Sequence, residues 1–127
     1  MATDYFSQWL GIEILEAEKG KSRLKMRIRK EMLNGFGIAH GGITFSLADS
    51  ALAFASNSKG RQSLSIETSI SHVSSLKEND EITAEAFCIT ETEKLGHYEV
   101  RVMAEGKTEP VALFKGMVYK TSRVWEK

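Results

Sequence analysis

The chain has 127 residues, of which 42% are hydrophobic, and its 17 lysine and arginine residues balance 17 aspartate and glutamate residues. A neutral chain with mixed charges has no overall field for nucleic acid or an anionic membrane, so neither is expected as a partner. The composition predicts one packed domain over residues 1–127. The single cysteine, Cys88, excludes an intrachain disulfide and, with no signal-peptide pattern and no bilayer-length apolar run, predicts a cytoplasmic protein.

The predicted elements begin with a short amphipathic helix at residues 4–10 and a weak strand at 12–17. Residues 23–29 alternate apolar and charged side chains, the period of a half-buried strand. After a glycine-containing loop, residues 40–58 form the one long helical segment. Further strands are predicted at residues 64–72, 81–92, 98–102 and 111–119, with a turn at Leu95 and Gly96. This order predicts an α+β fold in which an antiparallel sheet of about six strands wraps a long central helix.

The start of the long helix contains two adjacent glycines, Gly41 and Gly42. Without a Cβ, the first helical turn lets a ligand atom approach backbone N–H groups that have no acceptor within the helix. The helix dipole is positive there, which favours a carbonyl oxygen that becomes negative in a transition state. From the glycines alone, a simple glycine-rich turn is the more common explanation. His40 either orients this loop or a substrate, or is a capping residue, and the sequence leaves both interpretations open.

One face of the long helix is broad and apolar, whereas the opposite arc carries small residues and a single charge, Asp49. A solvated arc normally holds long charged side chains, so the small residues predict close packing of another chain or a ligand. An ordinary solvent-facing aspartate remains the alternative. Asp49 lies roughly 12 Å along the helix axis from Gly41. If both act on one substrate they must come from two chains, which predicts an obligate homodimer with two equivalent sites.

Other residues carry weaker signals. Ser65 and Thr68 lie on the strand after the helix and would bond a substrate or water, although strand hydroxyls are usually neutral. His72 and His97 are interpreted as structural. The three histidines and one cysteine do not have metal-ligand spacing, so no metal or other cofactor is expected. The chain contains no GxSxG, Walker or GxGxxG sequence, so a serine hydrolase of that type has no support.

Several segments together resemble the PaaI-type acyl-CoA thioesterases, which are hotdog-fold enzymes linked to phenylacetate degradation. The resemblance spans residues 5–120, and its signature consists of Asn34-Gly35, His40-Gly41-Gly42, Phe45, Leu47-Ala48-Asp49 and Asn57-Ser58. It implies hydrolysis of an aryl-acetyl-CoA or a short- to medium-chain acyl-CoA to the free acid and coenzyme A. It also implies a dimer of dimers, that is, a homotetramer.

The resemblance further implies roles for individual residues. Gly41, next to Gly42, matches the residue whose backbone N–H polarises the thioester carbonyl. His40 matches a histidine that supports that carbonyl or the loop, and Asn34 matches an asparagine that orients the nucleophile or a water. Asp49 matches the essential carboxylate, contributed across the dimer interface as nucleophile or general base.

Two further points follow from the resemblance, and two alternatives to it remain. Ser65 aligns with a serine proposed to position water in an animal relative, while His72 stands where many relatives carry an apolar or aromatic residue.

The alternatives are a non-catalytic acyl-CoA-binding module, which predicts loss of Asp49, and a hotdog dehydratase or hydratase, which needs a differently placed acid–base pair. Candidate cations for the coenzyme A phosphates are Lys59, Arg61, Lys94 and Arg123.

Overall fold

The computed structural model describes residues 4–125 of the chain. In this part, the elements in chain order are α1 (Tyr5–Leu10), β1 (Glu13–Glu18), β2 (Lys21–Arg27), a 3₁₀ turn (Lys30–Met32), α2 (Gly41–Asn57), β3 (Arg61–His72), β4 (Glu81–Glu91), β5 (Leu95–Ala104) and β6 (Ala112–Val124). The predicted helices and the six strands are confirmed, and their bounds shift by a few residues. The 3₁₀ turn was not predicted.

The six strands form one antiparallel sheet in the order β1-β2-β4-β5-β6-β3. The α2 helix packs on one face of this sheet and contacts β2, β3, β4, β5 and β6. The result is the predicted α+β layer, a helix wrapped by a sheet. The last strand in the order, β3, pairs with β6 on one side, and its other edge is unpaired within the described residues.

The core lies between α2 and the sheet because both elements have one apolar face. Leu47 and Leu52 of α2 are fully buried, and the small Ala48, Ala51 and Ala55 beside them let the strands approach the helix closely. The strands contribute alternate residues, as a period of two requires. The buried strand side chains include Leu24, Met26, Ile82, Ala84, Val100, Val102, Phe114 and Val118.

The predicted turn at Leu95 and Gly96 is wrong. Both residues belong to β5, and the bend lies just before them at residues 93–94. A Cβ on Gly96 would lie 3.0 Å from Tyr98 Cε1 and 3.2 Å from Val118 Cγ2. Glycine therefore stands there because two side chains pack against its Cα, a reason that only the tertiary structure reveals.

The arc of small residues on α2 is partly covered by the chain itself. Ser50 is buried because α1 lies on it, and its Oγ is 3.0 Å from Ser7 Oγ. Ser56 is also buried, whereas Asp49 is half-buried. The close packing predicted for this arc thus comes in part from α1. None of the helices within residues 4–125 combines the length and apolar character needed to cross a membrane.

Candidate active site at the start of α2

The first turn of α2 is shaped by His40. Its backbone is extended, which makes it the N-cap residue, and its Nδ1 accepts a hydrogen bond from Gly42 N–H at 3.2 Å. Its own N–H donates to the Met32 carbonyl at 2.8 Å, so the residue is anchored to the 3₁₀ turn. A neutral imidazole that accepts through Nδ1 carries its proton on Nε2. His40 therefore caps the helix and retains a donor.

The Gly41 N–H is free of any acceptor in the described part of the chain. Gly41 lies on a cavity of about 290 Å³ whose polar wall includes Asn34, Thr44, His72 and Ser74, and we call this space the polar cavity. A Cβ at Gly41 would lie only 3.2 Å from His72 Nε2. The glycine therefore keeps the space between the helix start and His72 open, and its unpaired donor lies at the positive end of the dipole.

Asn34 lines the same polar cavity and also holds the loop before α2 together. Its Oδ1 accepts from Phe36 N–H at 2.9 Å and from Ile38 N–H at 3.4 Å. Its Nδ2 group makes no hydrogen bond to the residues that the structure describes. Asn34 thus has both a structural oxygen and a donor group available to a ligand.

A second cavity, of about 320 Å³, is lined by Gly42 rather than Gly41 and has an apolar character. We call it the aromatic cavity, and its walls include Phe6, Trp9, Leu33, His40, Gly42 and Ile43. The α1 helix was not predicted to belong to the site. Phe6 and Trp9 share one face of α1 at a spacing of three residues, which was the one available signal, but nothing in the sequence placed that face beside His40.

Asp49 is the one ionisable residue of α2, and its environment is unusual for a surface aspartate. Burial raises the pKa of its carboxyl above the ordinary aspartate value, and the nearby negative charge of Asp4 adds to the rise. The Asp49 carboxylate accepts no hydrogen bond from any described residue. It lies eight residues after Gly41 on the same helix, roughly 12 Å along the axis. The carboxylate and the Gly41 N–H of one chain therefore cannot meet on one carbonyl group.

The predicted cations are not brought to the start of α2. Lys59 and Arg61 follow its other end, roughly 25 Å from Gly41 at 1.5 Å per residue. Lys59 pairs with Glu91 at 2.9 Å, and Arg61 binds Glu93 and three backbone carbonyls. Lys94 lines a surface cavity beside Arg61.

The predicted hydroxyls of β3 also lie apart from Gly41. Thr68 is four residues before His72, roughly 13 Å along the strand, and Ser65 is farther away. Thr68 lines a different cavity of about 570 Å³, together with His97 and Lys115. No cluster of three or more His, Cys, Asp or Glu side chains within residues 4–125 is arranged to hold a metal ion.

The fold and this site define a class of protein. A family model described as the thioesterase superfamily matches residues 36–111, which include Gly41, Asp49 and the strands β3 to β5. The chain therefore belongs to the thioesterase superfamily, with the hotdog fold, and is a thioester hydrolase.

The chain is also similar in sequence and structure to individual proteins of this kind. The chain is 38% identical over 119 residues to a putative esterase of Archaeoglobus fulgidus, covering 94% of this chain and 77% of the relative. It is 32% identical over 117 residues to the acyl-coenzyme A thioesterase PaaI of Escherichia coli, covering 92% of this chain and 83% of the relative. The solved structure of the Escherichia coli PaaI protein, from the phenylacetic acid degradation operon, matches with a TM-score of 0.93 at 30% identity over 97% of this chain and 88% of the other.

Proposed function

We propose that this protein hydrolyses an acyl-CoA to the free acid and coenzyme A. The observation that carries the proposal is the Gly41 N–H at the start of α2, which has no acceptor among residues 4–125 and lies on a cavity that also exposes the Asn34 amide. A backbone donor in this place suits the oxygen of a thioester carbonyl, which becomes negative as the tetrahedral intermediate forms. One such donor is worth about 3–4 kcal/mol of barrier in other acyl-transfer enzymes.

The carboxylate that drives the reaction is Asp49 of the partner subunit, as nucleophile or as general base. In one route its carboxylate adds to the carbonyl carbon, the C–S bond breaks, and water then hydrolyses the resulting anhydride. In the other route it removes a proton from water, whose oxygen adds to the carbon as coenzyme A thiolate leaves and is protonated. Burial raises the pKa of the Asp49 carboxyl, which makes its carboxylate a stronger base. Asn34 would orient the water or the nucleophile through its free Nδ2 group.

Two features support assembly as a dimer. If Gly41 and Asp49 act on one thioester, the length of α2 between them means that a second chain must complete the site. The edge strand β3 also exposes Leu64 and Ile66, at 64% and 55% of their surfaces, beside its unpaired backbone edge. A long edge strand with exposed apolar residues is an aggregation hazard unless another chain covers it. We propose that a second copy does so, and that two such dimers form the tetramer.

The proposed substrates are aryl-acetyl-CoA and short- to medium-chain acyl-CoA, by similarity to PaaI of Escherichia coli. Of the cations suggested for the coenzyme A phosphates, Lys94 and Arg123 are exposed and form no ion pair among the described residues, so these two remain candidates.

The first test measures coenzyme A release with a thiol reagent, using phenylacetyl-CoA and a ladder of straight-chain acyl-CoAs. We expect Asp49→Asn, which keeps the side-chain shape, to lower kcat/KM at least about a hundredfold, or 2.7 kcal/mol of barrier. Glu105→Gln, in an exposed turn, is the matched control for loss of a carboxylate. Binding of acyl-CoA without release by the wild type would instead favour the acyl-CoA-binding module.

A complementation experiment tests the two-chain site directly. Asp49→Asn and Gly41→Ala chains are prepared separately and also co-expressed with different tags. Each homodimer should be inactive, whereas every heterodimer has one intact pair of Gly41 and Asp49. Random pairing makes half of the dimers mixed, each with one of two sites working, so about a quarter of wild-type activity should return. No recovery in purified heterodimers would show that both groups act within one chain or not at all.

A further inference from the structure

Three of the residues that line the aromatic cavity come from the start of α2, beside the proposed catalytic Gly41. Gly42, His40 and Ile43 belong to the first turn of α2 and line this space, while Phe6 and Trp9 form the wall opposite them. Phe6 and Trp9 are 54% and 52% exposed although both are large apolar residues. Their rings stack in parallel, 6.1 Å apart at an angle of 8°. An exposed apolar surface beside a reactive site is typical of a ligand-binding wall.

The opposite face of α1 is anchored, so this wall is rigid. Leu10 is fully buried, and Ser7 is buried with its Oγ 3.0 Å from Ser50 Oγ of α2. Asp4 caps α1 by accepting from Ser7 N–H at 3.1 Å and from Ser7 Oγ at 2.8 Å. A six-residue helix does not hold its shape alone, so these contacts define where the Phe6 and Trp9 rings lie.

Arg29 fixes the Trp9 ring from outside the cavity. Its guanidinium lies 5.2 Å from the centre of the Trp9 ring. The same group donates to the carbonyl of Leu10 at 2.9 Å and to the carbonyl of Trp9 at 2.7 Å. Arg29 thus satisfies two carbonyls at the end of α1 and also contacts the indole face, which is a specific arrangement for a surface arginine.

We propose that this cavity binds the acyl group of the substrate, with Trp9 and Phe6 as specificity residues and Arg29 as the positioning residue behind Trp9. The proposal rests on the proposed thioesterase function, because the N–H of Gly41, the neighbour of the cavity-lining Gly42, must hold the thioester. A bound thioester carbonyl at that backbone leaves the acyl chain at the mouth of the apolar space. The polar cavity, which Gly41 lines, has aliphatic residues in its walls but no phenylalanine, tyrosine or tryptophan, so it lacks the aromatic surface that Phe6 and Trp9 provide.

The expected consequence is a change in selectivity. Trp9→Ala should lower kcat/KM for bulky apolar acyl-CoAs by about tenfold or more, since removing one wall of an apolar pocket forfeits buried contact area. The rate with acetyl-CoA, whose acyl group does not reach the wall, should change less than about twofold. Tyr5→Ala is the matched control, because Tyr5 is an exposed aromatic residue of the same helix that does not line the cavity. Arg29→Met should raise KM for bulky acyl-CoAs with little change in kcat.

A binding measurement separates this proposal from the hydrolysis itself. In an Asp49→Asn, Trp125→Phe chain, Trp9 is the one remaining tryptophan. Its fluorescence is recorded during titration with phenylacetyl-CoA, octanoyl-CoA, acetyl-CoA and free coenzyme A. We expect a shift with the first two ligands and a much smaller one with the last two.

Three outcomes would overturn the proposal. The first is an equal loss of activity on acetyl-CoA and bulky acyl-CoAs in Trp9→Ala, which indicates a general structural role. The second is dissociation of Trp9→Ala into smaller species, which indicates that another subunit covers the wall. The third is hydrolysis by the wild type without any response of Trp9 to the acyl group, which leaves the thioesterase function intact. A response of Trp9 without hydrolysis would support the pocket while refuting the proposed function.

Discussion

The two ends of α2 differ in how completely they are packed. The first turn lines two cavities, contains a backbone donor without a partner in the described part of the chain, and is followed by the half-buried Asp49. The last turn is closed by Asn57, which donates to the carbonyls of Ala53 at 2.8 Å and Ser63 at 3.2 Å. Asn57 Oδ1 in turn accepts from Ser63 N–H at 2.9 Å and from Trp125 Nε1 at 2.8 Å. One helix thus has an open end suited to chemistry and a closed end suited to stability.

This difference shows how a small fold accommodates a reactive site. Binding groups must remain unpaired until substrate arrives, which costs stability locally. The satisfied hydrogen bonds at the other end of α2 and the fully buried Leu47 and Leu52 offset that cost. Mutations at the two ends should therefore affect different measurements.

The largest expected effect is at the open end. Gly41→Ala keeps the backbone N–H but places a methyl group 3.2 Å from His72 Nε2, where a carbonyl would approach. We expect kcat/KM to fall about a hundredfold, because a displacement near 1 Å is costly in a reacting geometry. Gly35→Ala, where a Cβ meets no atom within 4 Å, is the control. A normal kcat/KM in Gly41→Ala would show that the thioester carbonyl does not approach Gly41 closely.

The next effect is at the closed end and concerns stability. Asn57→Ala should lower the free energy of unfolding by about 2 kcal/mol, since it leaves the Ser63 N–H and carbonyl without their partner. Urea unfolding at fixed protein concentration measures this. Asn57→Asp keeps the acceptor and loses the donors, so it should show about half of the loss. A hundredfold fall in kcat/KM with unchanged stability would mean that this end also belongs to the site.

The smallest effect tests the electrostatics between the two ends. Asp49 has a raised pKa in the folded state, so its ionisation destabilises the fold. The penalty is absent below the unfolded pKa and complete above the folded pKa. The acid limb in the pH profile of kcat/KM should therefore have an apparent pKa above the ordinary aspartate value. Asp4→Asn should lower that apparent pKa, and asparagine is still a good N-cap residue for α1. Thermal unfolding should show Asp49→Asn more stable than wild type at neutral pH and equal at low pH. An acid limb that Asp4→Asn does not move would exclude the Asp4 charge as a cause.

The sequence predicted the elements whose signal is local. Three features were recognisable: the alternation in β2, the alanine-rich α2 and the start of α2 at the glycine pair. Each of them reflects either a repeating pattern of residues or the residues at a helix N-terminus. The turn assigned to Leu95 and Gly96 failed because Gly96 is a glycine for a tertiary reason: Tyr98 and Val118 pack on it. Similarly, Lys59 and Arg61 looked like free cations until their partners Glu91 and Glu93 came from a distant hairpin.

By itself, the sequence determined the order of elements, the glycine pair, the lone carboxylate of α2 and the separation between them, since helical rise depends on residue number alone. Only the tertiary structure decided what surrounds those groups. It placed His72 against Gly41, brought the Asp4 charge near Asp49, and set the Phe6–Trp9 wall beside His40. Each of these contacts joins segments that are distant along the chain, and their geometry depends on how α1 and β3 pack on α2, which no local pattern of residues specifies.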